Sequence, residues 1–283
     1  MIRLLAIAAL LALPATAKPP SAVYADPPRD SAYPARMEVL HVPSGGVLIN
    51  GVAYLASGPG AHPTLVICHG WPGNEKNLDL AQAVRRAGWN AVTFNYRGSW
   101  GSPGQFHFAQ NPEDARAVLA YLREPANAAK LGVDPQRIAL AGHSMGGWVT
   151  ALVAATDRRL IGAATISMGD LGVVGGLPRD KVLAEAADNA ETLATTPEAM
   201  AEELIAGREA FSVLRAAPGL ARLPYLGLTS DDGLAPHTDA LVEAVRAAGG
   251  ARFVKAHFKT DHSWSDRRIA LQTAIISWLG TLP

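Results

Sequence analysis

One cysteine, Cys68, occurs in 283 residues. No intramolecular disulfide can form, so the fold must rest on its core, and the chain is long enough to bury one. Cys68 closes the apolar run Thr64 to Cys68 and reads as a buried, inert thiol rather than a nucleophile. Charge is also scarce. Asp, Glu, Lys and Arg make up 18% of the chain, and 25 basic residues balance 25 acidic ones. The ordinary charged share is about 25%. With no basic excess, binding to nucleic acid is not expected. A hydrophobic content of 49% excludes a disordered chain. No internal repeat is visible, the His and carboxylates lack metal-ligand spacing, and no glycine loop of the P-loop type is present. After the N-terminus no apolar run is long enough to span a bilayer, so stable membrane insertion is not expected.

The long apolar run that does exist is Leu4 to Leu13, behind Arg3 and ahead of Pro14 and Ala15-Thr16-Ala17. A positive start, a short apolar stretch and a small-x-small site describe a signal peptide over residues 1–17, and hence export to a periplasm or the cell exterior. No cysteine stands there to carry a lipid. Residues 18–36 contain five prolines, Pro19, Pro20, Pro27, Pro28 and Pro34, and predict an extended N-terminal lead. Residues 37–283 form the domain.

From Met37 onward strand and helix patterns alternate. Met37 to Val42 and Gly46 to Leu55 predict an antiparallel hairpin across Pro43-Ser44-Gly45. Thr64 to Cys68, Asn90 to Tyr96, Ile138 to Gly142, Ala163 to Met168, Tyr225 to Thr229 and Phe253 to Phe258 predict further strands. Between them Leu80, Ala83, Val84 and Ala87 share one helix face, which Gly88 ends, and Asn111-Pro112 opens a helix with a cap and a first-turn proline. Such alternation predicts a mostly parallel sheet with helices on both faces. Residues 169–222, rich in Ala, Glu and Leu, are too long for a plain crossover and predict a small helical cap after the sixth core strand.

The chemistry centres on Gly142-His143-Ser144-Met145-Gly146. A G-x-S-x-G pattern is weak alone. Here a strand precedes it and a helix from Ser144 to about Ala155 follows, the context that exposes a serine on a sharp, strained turn. A serine hydroxyl needs a base. His262, in Thr260-Asp261-His262-Ser263-Trp264, follows the last strand and so reaches the carboxyl end of the sheet, where Ser144 also lies. His257 is expected to pack, His237 to face solvent and His69 to bond loop backbone, while His143 is too near Ser144 along the chain to serve it. The His needs an acid. Asp232 is the choice, with Asp231 the alternative, one of the two capping the turn before Pro236. Two backbone N–H groups should hold an oxyanion, those of Met145 and of Trp71 in His69-Gly70-Trp71-Pro72-Gly73. Trp100, Phe106 and Phe108 either line an apolar pocket beside the nucleophile or pack their own loop.

These motifs, in this order, resemble the α/β-hydrolase superfamily, and the resemblance covers nearly all of the chain from residue 37 onward. The pattern is most similar to serine aminopeptidases and prolyl-oligopeptidase-like single-domain serine hydrolases. Arg97-Gly98-Ser99-Trp100-Gly101-Ser102-Pro103-Gly104-Gln105-Phe106 resembles their R-G-x-G-x-S-x-G-x-F loop, departing at Trp100, where they carry glycine. H-G-W-P-G also resembles epoxide hydrolases, but those carry Asp as nucleophile and two cap tyrosines, and residues 169–222 contain no Tyr. The resemblance implies an α/β-hydrolase fold, a catalytic set of Ser144, Asp232 and His262, no cofactor, and a small-molecule ester as substrate. The alternative substrate is a short peptide, for which Glu185, Glu191, Glu202 or Glu203 would anchor the amine. A non-catalytic binding protein on the same fold is the reading from another class.

Overall fold

Residues 65 to 68 alternate between two sides of the molecule. In the computed structural model, which describes residues 18–283, Leu65 and Ile67 are buried in one apolar cluster and Val66 and Cys68 in another. A strand points successive side chains to opposite faces, so a run that is apolar at every position belongs to a strand covered on both sides. Burial pushes the Cys68 thiol up to about 12, which leaves it inert.

The chain runs α1 (Ser21–Tyr24), β1 (Arg36–Ser44), β2 (Val47–Leu55), β3 (His62–Cys68), α2 (Leu78–Arg86), β4 (Asn90–Phe94), α3 (Asn111–Arg123), α4 (Pro125–Leu131), β5 (Val133–His143), α5 (Met145–Thr156) and β6 (Leu160–Ile166). It continues through α6 (Leu171–Gly175), α7 (Arg179–Asp188), α8 (Pro197–Gly207), α9 (Ala217–Leu220), β7 (Tyr225–Thr229), α10 (Ala235–Ala247), β8 (Phe253–His257) and α11 (Arg268–Leu279). The eight strands form one sheet in the order β1-β2-β4-β3-β5-β6-β7-β8. β1, β2 and β4 pair antiparallel, and every later neighbour pairs parallel. Helices α2 and α11 cover one face, with Ala22 of α1 beside them, while α3, α5, α10 and the segment between β6 and β7 cover the other. No helix among the described residues is long and apolar enough to cross a membrane.

Strand order reverses between β3 and β5. The chain leaves β3 toward β4 on one side and returns to β5 on the other, which opens a crevice at the carboxyl ends of the two strands. His69 follows one strand there, and Ser144 follows the other.

Several expectations meet differences. The proposed signal peptide, 1–17, lies outside the described residues. The lead is not extended throughout: Ser21–Tyr24 forms a helical turn, held by Arg86 Nε donating to Ala22 O at 2.6 Å. Asn111 does not cap α3. It is the first helical residue, fully buried, with its amide turned to Met145 Sδ at 3.4 Å. Helix α4 was not expected, although Glu124 caps it by accepting the Ala126 N–H at 2.7 Å, Pro125 opens it and Gly132 ends it at φ 60°. Residues 169–222 carry no long strand, as expected, but Ser99 and Leu193 form an isolated antiparallel bridge.

Candidate active site

The turn from β5 to α5 holds Ser144 at φ 57°, ψ −123°, a conformation that side chains with a Cβ rarely adopt. The glycines around it permit the turn. A Cβ on Gly142 would fall on Gly146 O, and one on Gly146 would fall on Cys68 O. The Ser144 N–H donates to Ile166 O at 2.9 Å, which ties the strained residue to β6.

His262 stands in the loop between β8 and α11. Its Nδ1 lies 2.7 Å from Asp232 Oδ2. The carboxylate can only accept, so Nδ1 carries the proton and Nε2 keeps a free lone pair. Asp232 has a side chain only 4% exposed. Burial pushes its carboxyl up, but bonds from His262, the Leu234 N–H and Ser230 outweigh that and hold it at about 2. Oδ1 accepts the Leu234 N–H at 2.9 Å, so Asp232 itself caps the turn and orients the imidazole. Asp231 faces away and pairs with His257 Nε2 at 2.9 Å on the surface. Ser144 Oγ makes no hydrogen bond to His262 Nε2 among the described residues, a looseness common before substrate arrives.

The loop after β3 leans on Ser144. A Cβ on Gly70 would sit 2.9 Å from Ser144 Cβ, so only glycine lets this backbone approach so closely. The Trp71 N–H finds no backbone acceptor among the described residues, and the Met145 N–H opens α5, where first-turn donors have no partner inside the helix. Both donors are free to take an oxyanion. His69 Nδ1 donates to Gly70 O at 2.8 Å and holds the loop, as expected. Burial lowers its pKa to about 4, so it is neutral.

Other sequence expectations fare unevenly. Phe106 and Phe108 are at most 1% exposed and pack edge-on against each other at 5.2 Å, inside the core. Phe108 meets the Trp71 ring at 4.9 Å and so backs the loop after β3. Trp100, standing where the resembling families have glycine, still adopts a glycine-like φ of 48°. Its N–H donates to Thr192 O at 3.1 Å and its Nε1 to Pro72 O at 2.8 Å, and these bonds hold the unfavourable backbone. His257 does not pack: it is exposed and paired with Asp231. His237 does not simply face solvent: its Nδ1 accepts the Asp170 N–H at 3.0 Å, and burial lowers its pKa.

A model of the alpha/beta hydrolase family matches residues 65–277. The chain belongs to that family. A Mycobacterium tuberculosis protein called uncharacterized is 31% identical over 121 residues, 42% of this chain and 41% of its own length. The chain thus spans under half of that relative. Among solved structures, a Pyrococcus horikoshii acylaminoacyl peptidase aligns with TM-score 0.66 and 17% identity, over 87% of this chain and 41% of that one. A thermophilic carboxylesterase cloned from a metagenomic library aligns with TM-score 0.60 and 23% identity, over 87% and 90%. At these identities the likeness is one of fold.

In this alpha/beta hydrolase some contributors escaped sequence reasoning. His143 Nε2 donates to His262 O at 2.7 Å, and the two rings meet at a tilt of 47° with centroids 4.6 Å apart. Burial, then the neighbouring His262, lowers the pKa of His143 to about 3, so a neutral ring supports the loop. Arg268 donates from Nη1 to Ser263 O at 3.0 Å and from Nε to Asp79 Oδ2 at 2.8 Å, tying the histidine loop to α2. Trp264 Nε1 donates to Ser167 Oγ at 2.9 Å, which meets Ser230 Oγ at 2.6 Å. Except for Arg268 and Ser263, five residues apart, the members of these pairs lie far apart along the chain, so the pairs have no sequence signal. His143 alone could have been suspected, from a histidine beside a strained serine.

Proposed function

We propose that the protein is an exported serine hydrolase that cleaves carboxylic esters by acyl transfer to water. The observation that carries the reading is the 2.7 Å bond from His262 to a buried Asp232, beside a serine held in a strained strand-to-helix turn. Ser144 Oγ attacks the carbonyl carbon and gives its proton to His262 Nε2. The oxyanion rests on the Trp71 and Met145 N–H groups. Collapse expels the alcohol, which takes that proton, and water repeats the sequence to free the acid. Asp232 keeps the imidazole in the required tautomer and offsets its charge.

The peptidase reading is favoured by the likeness to the acylaminoacyl peptidase. The cap acids weaken its aminopeptidase form. Glu203 Oε1 already accepts the Ala109 N–H at 2.8 Å, Glu202 pairs with Arg179 at 3.5 Å, and Glu185 takes Asn189 Nδ2 at 3.3 Å. A fluorophosphonate probe should label wild type and not Ser144→Ala. A panel of p-nitrophenyl esters and aminoacyl anilides should show turnover of esters and little of anilides. Labelling that persists in Ser144→Ala overturns the mechanism, and faster anilide turnover overturns the ester preference. Export rests on residues 3–17 alone, and N-terminal sequencing of secreted protein should begin at Lys18.

A further inference from the structure

Behind Asp232, three loops at the carboxyl edge of the sheet meet in a buried row of polar atoms. Ser167 follows β6, Ser230 follows β7, and Trp264 stands just after His262 in the loop before α11. All three residues are at most 1% exposed. Trp264 Nε1 donates to Ser167 Oγ at 2.9 Å, and Ser167 Oγ lies 2.6 Å from Ser230 Oγ. Ser230 in turn bonds the Asp232 carboxylate.

The ends of the row set its direction. An indole N–H can only donate, and an ionised carboxylate can only accept. Ser167 therefore accepts from Trp264 and gives its own proton to Ser230, and Ser230 gives its proton to Asp232. Hydrogen bonds that point one way polarise each other along the row. Two of its members are held at a backbone cost, Ser167 at φ 46° and Trp264 at φ 60°. The Ser167 N–H donates to Leu228 O at 2.8 Å and the Trp264 N–H to Asp261 O at 3.1 Å, which keeps both in place. Filling space would need no hydroxyl at Ser167 or Ser230, because burying one costs free energy unless it is bonded.

We propose that Ser230 is a positioning residue for the Asp232–His262 pair: the one-way row from Trp264 through Ser167 delivers an O–H to the Asp232 carboxylate, fixes the oxygen it turns to His262 and takes up part of its charge. The inference rests on the reading of Ser144, His262 and Asp232 given above. With the donors from His262 and Leu234, Ser230 gives the carboxylate three partners, so it cannot rotate without breaking them. Without Ser230 the Asp232 carboxyl, now held at about 2, rises and attracts the imidazole proton more strongly. The titratable and charged groups that face the pair are His143 at the β5 turn, His237 of α10, Asp261 beside His262 and Arg268 of α11. They are the same in every variant below, so a change between variants reports the serine row.

The test compares wild type with Ser230→Ala, Ser230→Cys and Ser230→Thr. Cysteine keeps the volume and is a weak donor, while threonine keeps the hydroxyl. In the Ala and Cys variants the acid limb of kcat/KM for p-nitrophenyl butyrate should move up by about half a pH unit or more. Their kcat should fall by about tenfold, the worth of a charge-assisted bond, with KM unchanged, and Ser230→Thr should restore both. Ser167→Ala should move the limb the same way by less, and adding it to Ser230→Ala should change nothing further, because the first hydroxyl acts through the second. The His262 Nδ1 proton resonance should move downfield in Ser230→Ala, a readout that needs no turnover and decides the matter even if esters are the wrong substrate. Melting curves confirm that each variant is folded. A wild-type pH profile and resonance in both Ser230→Ala and Ser230→Cys overturns the proposal, whatever happens to the rate, and leaves the reading of the site standing if Asp232→Asn is inactive. Full activity in Asp232→Asn overturns that reading, and the proposal with it.

Discussion

Asp231 and Asp232 are neighbours in sequence and differ in everything they touch. Asp232 is buried against His262, while Asp231 shares a solvent-exposed pair with His257. Exposed pairs contribute little, about 0–1 kcal/mol. Asp232→Asn should therefore lower kcat by about 10⁴-fold, as loss of tautomer control does in a comparable triad, while Asp231→Asn leaves it within a few-fold. Steady-state kinetics on one activated ester decides it, and the reverse ranking would transfer the acid's role to Asp231. Ser144, His262 and the Asp231-Asp232 pair were legible because each follows a strand, and every strand but β2 ends at one edge. Choosing between the two carboxylates is a matter of side-chain direction, which sequence leaves open.

The segment between β6 and β7 is stitched to the loop that follows β4. Ala194 N donates to Gly98 O at 2.7 Å, and Phe106 N to Ala194 O at 3.1 Å. Leu193 stands in the middle of this seam, half-buried, while Leu204 of α8 is fully buried in the core. The two leucines should behave differently. Leu204→Ala should cost about 2–5 kcal/mol of stability by leaving a cavity, slowing all substrates alike through loss of folded protein. Leu193→Ala should change the ranking of acetate, butyrate and octanoate esters in kcat/KM with a smaller loss of melting temperature. A common slowing of all three esters by Leu193→Ala would show that the seam supports the fold and does not select substrate. Sequence periodicity placed both leucines in a helical segment. It did not show that 190–194 leaves the helix to lie beside another loop, because that contact is made between strangers along the chain.

Two buried histidines couple the whole molecule to pH. Burial lowers His69 to about 4 and His143 to about 3, so both are neutral in the fold. An unfolded histidine titrates near 6.5, at about 1.4 kcal/mol per unit of difference. Between these values the unfolded chain binds more protons than the native one, so stability falls as pH drops from about 6.5 toward 4. Asp232, lowered to about 2, is still ionised through that window, and the stability it contributes is lost only below its unfolded value, near 3.8. Melting temperature should fall by several degrees between pH 7 and 4.5, and His143→Gln should flatten that slope. A slope unchanged in the variant would assign the acid sensitivity to other groups.

The amino-acid order by itself determined most of the strands, the hairpin ahead of a mostly parallel sheet, the turn that strains Ser144 and the order along the chain of the candidate nucleophile, acid and base. Those features are local: they follow from side-chain periodicity, from glycines where a Cβ cannot stand, and from strand ends that a parallel sheet gathers at one edge. Only the tertiary structure decided that Asp232 and not Asp231 meets His262, that His143 and Arg268 brace the histidine loop, and that Phe106 and Phe108 belong to the core. Each of these depends on which surfaces come together when distant segments pack, and on how much water remains between them.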